Sequence, residues 1–432
     1  MKIIVFIFKN NFLHIEQGGF MEDTEKFIEV NGNFKMRKLT EDDLEQFNGL
    51  LRYAFQITME DLLLTGWTKE QIMHAKMPIL KNAYVLGWFY RDKLASMIVV
   101  YSMKVNIHDN IGKMGGVTGV ATYPEYTGKG LICSLIKHAI MHMYEEEQFI
   151  SFLYPYSIPL YRKHGWEIIS DKITFAIKDS QLPKKRQVEG MMERVDFKCE
   201  DLLNVHDYFS MQRHGAMIRD EIAWDEYWRW DRDDITTAVY YSKNHKPLGY
   251  LIYNIRNDIF YIKEMVYLNT EAHNGIWNYI SAHYSMVKEV KGNNYSGEPM
   301  AFLFEDSEMV ENIEPYFMAR IINVQEFILK YTFLVKLPKL KLSFKINDSI
   351  AKWNNGVFNV YWNDEETVCE KTDDVHAANL VEMDIQTITT MLMGYKRPTF
   401  LYECGRIQTE YYMLRILEQL IPVEKPYFSD YF

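Results

Sequence analysis

Two glycines and a lysine lie where an extended apolar run gives way to a run with helical periodicity. Gly128, Lys129 and Gly130 follow GVTGVATYP and precede LICSLIKHAI. The first turn of a helix offers free N–H groups and a positive dipole end, and both attract phosphate oxygens. Glycines let the backbone approach a pyrophosphate without a Cβ in the way. The stretch therefore predicts an anion site, in which Lys129 either adds charge or is a solvated surface side chain.

A second group of reactive side chains follows the predicted strand FISFLYP. The run YPYSIPLYRKHGW contains Tyr154, Tyr156 and Tyr161. A phenol with a pKa near 10 in water can protonate a departing thiolate. Tyr161 is our candidate general acid, with Tyr154 and Tyr156 as alternatives, whereas Tyr156 and Ser157 are better suited to line a cofactor pocket. Packing of Tyr161 on the following helix is the purely structural interpretation.

The chain ends in PYFSDYF, and four of its last six residues are aromatic, namely Tyr427, Phe428, Tyr431 and Phe432. Chain ends usually fray, so an end this apolar is expected to be buried. Burial of each ring stabilises the fold by about 1.5–3 kcal/mol. The tail either covers the core of the last domain or holds its terminal carboxylate in a defined place.

Composition and charge narrow the class of protein. The 432 residues suggest two or three domains, and 48% hydrophobic with 25% charged residues is typical of globular chains. A net charge of −11 argues against a nucleic-acid binder and suits cationic small molecules or lysine-bearing partners. No apolar run approaches the roughly 20 residues of a membrane helix. We expect a cytoplasmic protein with no nucleic-acid or membrane partner.

Metal and cysteine chemistry are not expected. Four scattered cysteines without a CxxC pair fit neither a zinc site nor a disulfide framework, and they fit a reducing cytosol. His138 and His142 share a helix face at i,i+4 spacing, but no third ligand accompanies them. Cys133 lies in the first turn of a predicted helix, where a thiol can be activated, yet we favour a packing role for it.

The pattern of elements predicts an α/β (α+β) chain of three domains after a leader. Residues 1–20 look foreign to the rest, and EQGG just before Met21 can be encoded by a ribosome-binding-type stretch, so we expect a misread, disordered leader. Residues 21–180 have a strand–glycine loop–helix order with a mixed sheet. Residues 181–330 are interpreted as a degenerate copy in which TEAHNG replaces the Gly-Lys-Gly turn, with an unrelated α/β domain as the alternative. Residues 331–432 form the third domain.

Several elements of the later domains can be placed from sequence. GEPMAFLFED and PYFMARIINV are predicted to be the closing strands of the second domain. In the third domain NDSIAKWNNGVFNVYW predicts a hairpin with its turn at residues 354–356. MDIQTITTMLMG predicts a helix that ends at Gly394.

The glycine loop resembles the coenzyme A loop of the GNAT acetyltransferase superfamily. That loop is usually written Arg/Gln-x-x-Gly-x-Gly/Ala, and here V-x-x-x-P-E-Y-x-G-K-G-L stands in its place. With Pro124 setting the register, Thr127 occupies the first position and Ile132 the last. Only Gly130 of the two small positions is kept, and the Arg or Gln side chain is missing.

From Met21 onward the whole chain resembles the Eis (enhanced intracellular survival) family of N-acetyltransferases. The resemblance implies tandem GNAT domains, the second without cofactor, and a C-terminal sterol-carrier-protein-like domain. It implies acetyl transfer from acetyl-CoA to amines of aminoglycosides, lysine side chains or polyamines, in a homo-hexamer. The cofactor-binding positions that it implies, together with those argued above, are Val120, Ala121, Thr122, Gly128, Lys129, Gly130, Leu131, Ile132, Cys133, Tyr156 and Ser157.

The resemblance also implies how the transfer occurs. In the family the free C-terminal carboxylate is the general base, which here is that of Phe432, and burial among the tail rings would raise its pKa from about 3.5. The amine attacks the thioester directly, a backbone N–H of residues 120–122 holds the oxyanion, and Tyr161 protonates the sulfur. A non-catalytic coenzyme A or lipid-binding protein is the alternative from another functional class.

Overall fold

The structure is a computed structural model, and it describes residues 28–30, 33–64, 67–228, 234–335, 340–363, 366–372 and 379–432. The predicted leader, residues 1–20, lies outside them. The chain divides into two units. The first contains the described residues up to Tyr101 together with Thr118–Ala139, and the second contains Ser102–Val117 and Ile140–Phe432.

The strands and helices up to residue 180 include the strand–loop–helix order that the sequence predicts. In chain order they are β1 (Ile28–Val30), β2 (Phe34–Lys38), α1 (Leu44–Phe55), α2 (Met59–Leu64), α3 (Lys69–His74), α4 (Met77–Asn82), β3 (Tyr84–Tyr90), β4 (Lys93–Ile107), β5 (Asn110–Thr122), α5 (Leu131–Glu145), β6 (Ile150–Leu153), α6 (Ile158–Lys163), β7 (Glu167–Ile168) and β8 (Asp171–Lys178). Between β3 and β4, Arg91 and Asp92 both have positive φ, as a two-residue type I′ turn requires.

The next part of the chain repeats the hairpin–strand–helix order. Its elements are β9 (Met191–Val195), α7 (Glu200–Met211), β10 (Met217–Ile218), α8 (Glu221–Trp228), β11 (Thr236–Tyr241), β12 (Pro247–Arg256), β13 (Ile259–Tyr267), α9 (Thr270–Ser281), β14 (Glu289–Asn294), β15 (Val310–Pro315), β16 (Met318–Ile321) and α10 (Val324–Lys330). The hairpin β11–β12 is antiparallel, with its turn between Tyr241 and Pro247.

The last part of the chain is a smaller α/β domain. Its elements are β17 (Leu342–Asn347), β18 (Gly356–Asn363), β19 (Glu366–Thr372), β20 (Leu380–Asp384), α11 (Ile385–Leu392), α12 (Pro398–Glu403) and α13 (Tyr411–Leu420). The strand order is β19-β18-β17-β20, with β17 and β20 parallel. Helix α11 is buried and is followed by Gly394 at φ +70°, which confirms the predicted helix and its end.

Sheet topology places the glycine loop at the end of a central strand. In the first unit the strands follow the order β1-β2-β3-β4-β5. In the second unit the N-terminal part of β5 pairs in parallel with β6, which is followed by β16 and β7. A separate sheet has the order β15-β8-β14-β13-β12-β11-β9. Both sheets are mixed, as the sequence predicts.

Two strands are exchanged between the sheets of the second unit. β8 pairs with β14 and β15, although the sequence places residues 171–178 in the first domain. β16 pairs with β6 and β7, although PYFMARIINV was expected to close the second sheet. That expectation is wrong because the hydrophobic pattern of a strand does not say which sheet it joins. GEPMAFLFED is not a strand either, since Ala301–Leu303 is a 3-10 helix and β15 closes the sheet.

The predicted hairpin of the third domain is partly wrong. β17 and β18 are its arms, but the connection runs from Asp348 to Asn355 and includes the 3-10 helix Lys352–Asn354. The buried side chain of Asp348 accepts from the N–H groups of Ile350 and Ala351, which shapes this longer connection. Within the described residues no helix is long and apolar enough to cross a bilayer.

Candidate active site

The C-terminal part of β5 has backbone groups that face away from β4. The N–H of Tyr123 donates to the carbonyl of Ala95, 3.0 Å away, so its side of the strand faces β4. Backbone groups alternate along a strand, which turns those of Thr122 and Val120 to the other side. The pairing of β5 with β6 ends at Val117, before either residue is reached. Of the residues predicted for oxyanion binding, Val120 and Thr122 therefore have N–H groups on the side of β5 away from β4, beyond the end of the pairing with β6.

Side chains of β4 fix the conformation of that segment. The buried Ser96 hydroxyl donates to the carbonyl of Ala121 at 3.0 Å and lies 2.6 Å from the hydroxyl of Thr122. Gly119 has φ +57°, which departs from regular strand geometry just before Val120. The segment is thus held in one shape by its own unit.

The loop between β5 and α5 is short of side chains and exposed. Residues 124–126 form a 3-10 turn, and the Thr127 hydroxyl donates back to the carbonyl of Pro124 at 2.8 Å. Gly128 and Gly130 have φ +75° and +77°, a region that glycine adopts without strain. A Cβ at Gly130 would meet nothing within 4 Å, so the surroundings of the loop are open.

Helix α5 begins directly after this loop without a capping side chain. Its first backbone bond is from the N–H of Ser134 to the carbonyl of Gly130, 3.1 Å long. Gly130 has no side chain to accept from the N–H groups of Leu131, Ile132 and Cys133, which lie in the first turn. These groups and the helix dipole make an anion site of the predicted kind.

The other predicted residues of this segment have simpler environments. Lys129 is exposed, and Cys133 is partly buried beside the buried Leu131 in the first turn of α5. His138 bonds through Nδ1 to the carbonyl of Ser134, 2.9 Å away on its own helix. No cluster of three potential metal ligands occurs among the described residues.

The three tyrosines after β6 differ in exposure. Tyr156 is 83% exposed and precedes Ser157, the residue before α6. Tyr161 is 6% exposed, its ring packs edge-on against Trp166, and burial raises its pKa to about 12. Tyr154 is 41% exposed and lies 5.3 Å from the ring of Tyr431. Tyr161 therefore keeps its proton, as a general acid must. It lies within α6 itself and packs against Trp166, rather than on a following helix.

The C-terminal tail, defined as residues 427–432, is held at the end of the β5–β6 pairing. The Phe432 ring lies 5.4 Å from that of Phe317 on β16. A Cβ at Gly116 would lie 2.9 Å from Cε2 of Phe432, so the ring fits over a glycine of β5. Gly116 pairs with Phe152, one position before the last β5–β6 pair. The terminal residue thus lies where β5 and β6 part.

Residues 428–430 of the tail are buried, whereas Tyr431 is 45% exposed. Phe428 is 0% exposed and packs against Phe152 and Phe317. Asp430 is 2% exposed, and its Oδ1 lies 2.5 Å from Nε of Arg219. Arg219, Gly116 and Asp430 are functional candidates that the sequence did not predict. An acidic residue among aromatic ones in the tail was the available signal, but its partner is distant in sequence.

Comparison with known protein families assigns all three domains. Residues 35–169 match an acetyltransferase (GNAT) domain, and residues 215–321 match a second model of the same description. The chain carries two GNAT acetyltransferase domains and is an enzyme of that class. Residues 324–429 match a sterol carrier protein domain, which completes the predicted architecture. We call these the first GNAT, second GNAT and sterol carrier domains.

Solved structures show the same architecture over nearly the whole chain. A protein of unknown function from Enterococcus faecalis, described as a probable N-acyltransferase, is 26% identical with a TM-score of 0.85, covering 92% of this chain and 99% of that one. A GCN5-related N-acetyltransferase from Anabaena variabilis is 21% identical with a TM-score of 0.81, covering 92% and 100%. Eis1 from Mycobacterium abscessus is 15% identical with a TM-score of 0.75, covering 92% and 100%. No curated protein matches the sequence.

Proposed function

We propose that this GNAT chain transfers an acetyl group from acetyl-CoA to a primary amine of a small cation or of a lysine side chain. Aminoglycosides, polyamines and protein lysines are the acceptors of this class. The observation that carries the proposal is the exposed glycine loop, which ends at the uncapped first turn of α5. The GNAT fold brings acetyl-CoA as the co-substrate, and the loop fits its diphosphate.

Backbone groups supply most of the proposed cofactor binding. The N–H groups of the first turn of α5, at Leu131, Ile132 and Cys133, donate to the diphosphate, and Gly128 and Gly130 keep its approach clear. Lys129 adds charge from an exposed position. Tyr156 and Ser157 are proposed to line the thiol-bearing arm of the same ligand. Acetyl-CoA supplies an activated thioester when it is bound.

The remaining roles belong to groups that move or attract a proton. The α-carboxylate of Phe432 accepts a proton from the substrate ammonium, so that the free amine can attack. The N–H groups of Val120 and Thr122 donate to the oxygen that becomes negative. The Tyr161 phenol, protonated with a pKa of about 12, donates its proton to the departing sulfur. No acyl-enzyme is formed, and Cys133 has no nucleophilic role.

Charge supports a cationic acceptor, while location and assembly follow the Eis resemblance alone. A net charge of −11 attracts polyamines and other cations to the surface. We propose a cytoplasmic homo-hexamer, by analogy with that family. The sterol carrier domain match favours one other function, a non-catalytic coenzyme A or lipid carrier.

Detection of free thiol from acetyl-CoA with a panel of amines tests the proposal. The panel contains a polyamine, an aminoglycoside and a lysine peptide, with matched alcohols as controls. We expect thiol release that depends on an amine, and a loss of about 100-fold in kcat when one residue is added after Phe432. Binding of acetyl-CoA without thiol release from any amine would support the carrier function instead.

A further inference from the structure

Asp430 lies two residues before the terminal carboxylate and is bound at an internal ion pair. Its side chain is 3% exposed and that of Arg219 is 0% exposed. The Nε of Arg219 donates to Oδ1 of Asp430 at 2.5 Å. Acidic side chains are rarely buried unless they are paired, and near a chain end they usually face water. The pair therefore needs an explanation other than chance packing.

The second GNAT domain holds Arg219 in place without help from the tail. Its Nη1 donates to Oε2 of Glu264 at 3.1 Å, and its Nη2 donates to Oε1 at 2.6 Å. The guanidinium also lies 4.5 Å from the ring centre of Trp224 and 5.0 Å from that of Tyr227. Glu264 accepts a further bond from the Tyr250 hydroxyl. These contacts use both terminal nitrogens of Arg219 and leave its Nε to bind the tail, at Asp430.

Two tyrosines of the same region bind the tail backbone around Asp430. The Tyr316 hydroxyl donates to the carbonyl of Asp430 at 2.7 Å, and the Tyr227 hydroxyl donates to that of Ser429 at 3.3 Å. One side-chain contact and two backbone contacts fix the peptide in both position and direction. After Asp430 the tail has only Tyr431 and Phe432.

The charges of this cluster favour a role in positioning over one in stability. One guanidinium faces two buried carboxylates, and burial raises the pKa of Asp430 while Arg219 offsets the effect of burial on Glu264 and lowers its pKa. A buried ion pair is weak evidence for stability, since an apolar replacement is often as stable. A tail held by rings alone could shift along the surface on which it packs. A paired charge fixes the tail in a single register.

We propose that Arg219 is a positioning residue that, by binding Asp430, sets the place of the Phe432 carboxylate at the end of the β5–β6 pairing. The inference rests on the proposed function, in which that carboxylate is the general base. It assigns the second GNAT domain the task of holding the base for the first. The anchored ring of Phe432 over Gly116 completes the register.

Removal of the Asp430 side chain tests the proposal. In Asp430→Ala, carboxypeptidase A is expected to release Phe432 at least about tenfold faster, and kcat is expected to fall about 100-fold because the base is misplaced. The KM and calorimetric Kd for acetyl-CoA are expected to be unchanged. Asp430→Asn, which keeps an acceptor for Nε, is expected to restore protection and most of kcat. Arg219→Lys keeps the charge but loses the fork and is expected to behave like Asp430→Ala.

Asp348→Ala is the matched control, because it likewise removes the acceptor of a buried ion pair, with Arg320 at 2.6 Å, outside the tail. It is expected to lower Tm without exposing Phe432 to the peptidase. Full protection of Phe432 in Asp430→Ala or in Arg219→Lys would overturn the proposal, as would release of Phe432 with kcat unchanged. Failure of the wild-type protein to release thiol would instead contradict the proposed function, whatever the peptidase shows.

Discussion

Both GNAT domains connect a strand to a helix at the corresponding place, but the two helix N-termini differ in which groups bond to their N–H groups. In the first, residues 123–130 join β5 to α5 through two glycines of positive φ and no capping side chain. In the second, residues 268–269 join β13 to α9, and Asn269 accepts from the N–H of Ala272 at 2.8 Å. The first helix end is thus free for a ligand, whereas the second is bonded within the chain.

Further contacts close the second turn. Glu271, in the first turn of α9, accepts from the Tyr240 hydroxyl at 2.8 Å and from the N–H of Gly190 at 3.3 Å. A carboxylate at this end of a helix satisfies the dipole that would otherwise attract a phosphate. In the second GNAT domain the chain's own side chains take over the hydrogen bonds of the helix end, and we therefore expect that end to bind no cofactor.

The largest effect is expected when the N-terminus of α5 is given an acceptor side chain, as the N-terminus of α9 has. Gly130→Asp places a carboxylate directly before α5, at a φ of +77° that Asp adopts with less strain than most side chains. Repulsion of the diphosphate by several kcal/mol should weaken acetyl-CoA binding about 1,000-fold, measured by calorimetry. Glu271→Gln in the second domain is the control, and its Kd for acetyl-CoA is expected to equal that of the wild type. Tight binding by Gly130→Asp would show that the ligand lies elsewhere.

Acid should destabilise the fold at a stacked pair of buried histidines, His108 and His214. His108 and His214 stack with ring centres 3.6 Å apart, and the N–H of His108 donates to Nδ1 of His214. Burial lowers the pKa of His108 from 6.5 to about 4, and burial with the His108 charge lowers that of His214. Both are neutral in the folded chain, whereas the unfolded chain binds protons below about pH 6.5. Their stabilisation is complete above that pH and lost as pH falls.

For His108 the loss approaches about 3 kcal/mol near pH 4, and it should appear as a fall in the free energy of unfolding between pH 6.5 and 4. His108→Asn keeps a residue that tolerates the φ of +47° and removes one titrating group. Its stability should depend less steeply on pH over this window, in urea titrations at several pH values. Parallel curves for the two proteins would contradict the prediction.

A smaller effect is expected where the tail meets the first GNAT domain. Gly116→Ala places a Cβ 2.9 Å from Cε2 of Phe432 and 2.9 Å from Sδ of Met103, and we expect the displaced Phe432 ring to shift its carboxylate. We expect kcat to fall about tenfold while acetyl-CoA binding is kept. Gly115→Ala is a more severe control away from the tail, since its Cβ would lie 2.2 Å from Sδ of Met143 and 2.5 Å from Oε1 of Gln148. Equal kcat values for these two variants would show that the ring does not position the base.

Local signals predicted what neighbouring residues decide. The glycine loop and the helix after it follow from residue types within a few positions, and both lie where the sequence predicts. The end of α11 at Gly394 has the same origin. The turn of the third-domain hairpin does not lie where the sequence predicts, because buried Asp348 shapes a longer connection. The tyrosines after β6 could not be ranked from sequence as candidates for the general acid. Tyr156 and Tyr161 differ in exposure, and that difference arises only in the folded chain.

Contacts between distant segments could not be predicted in this way. The strand β16 carries the pattern of any buried strand, so nothing in MARI shows that it pairs with β6. Arg219 and Asp430 are ordinary charged residues until the fold brings them to 2.5 Å. The resemblance to a family pointed to Phe432, but the groups that hold the tail emerged only from the structure.

The mildest test asks whether the cap of the second turn is purely structural. Asn269→Ala removes the acceptor for the N–H of Ala272 and should cost about 1 kcal/mol of stability. Hydrogen exchange at Ala272 should quicken, while Asn269→Asp, which keeps an acceptor, should leave it slow. Because Glu271 and the chain around Gly190 still close this turn, the Kd for acetyl-CoA should not change in either variant. A second binding event in Asn269→Ala would mean that one side chain is all that separates the closed turn from the open one.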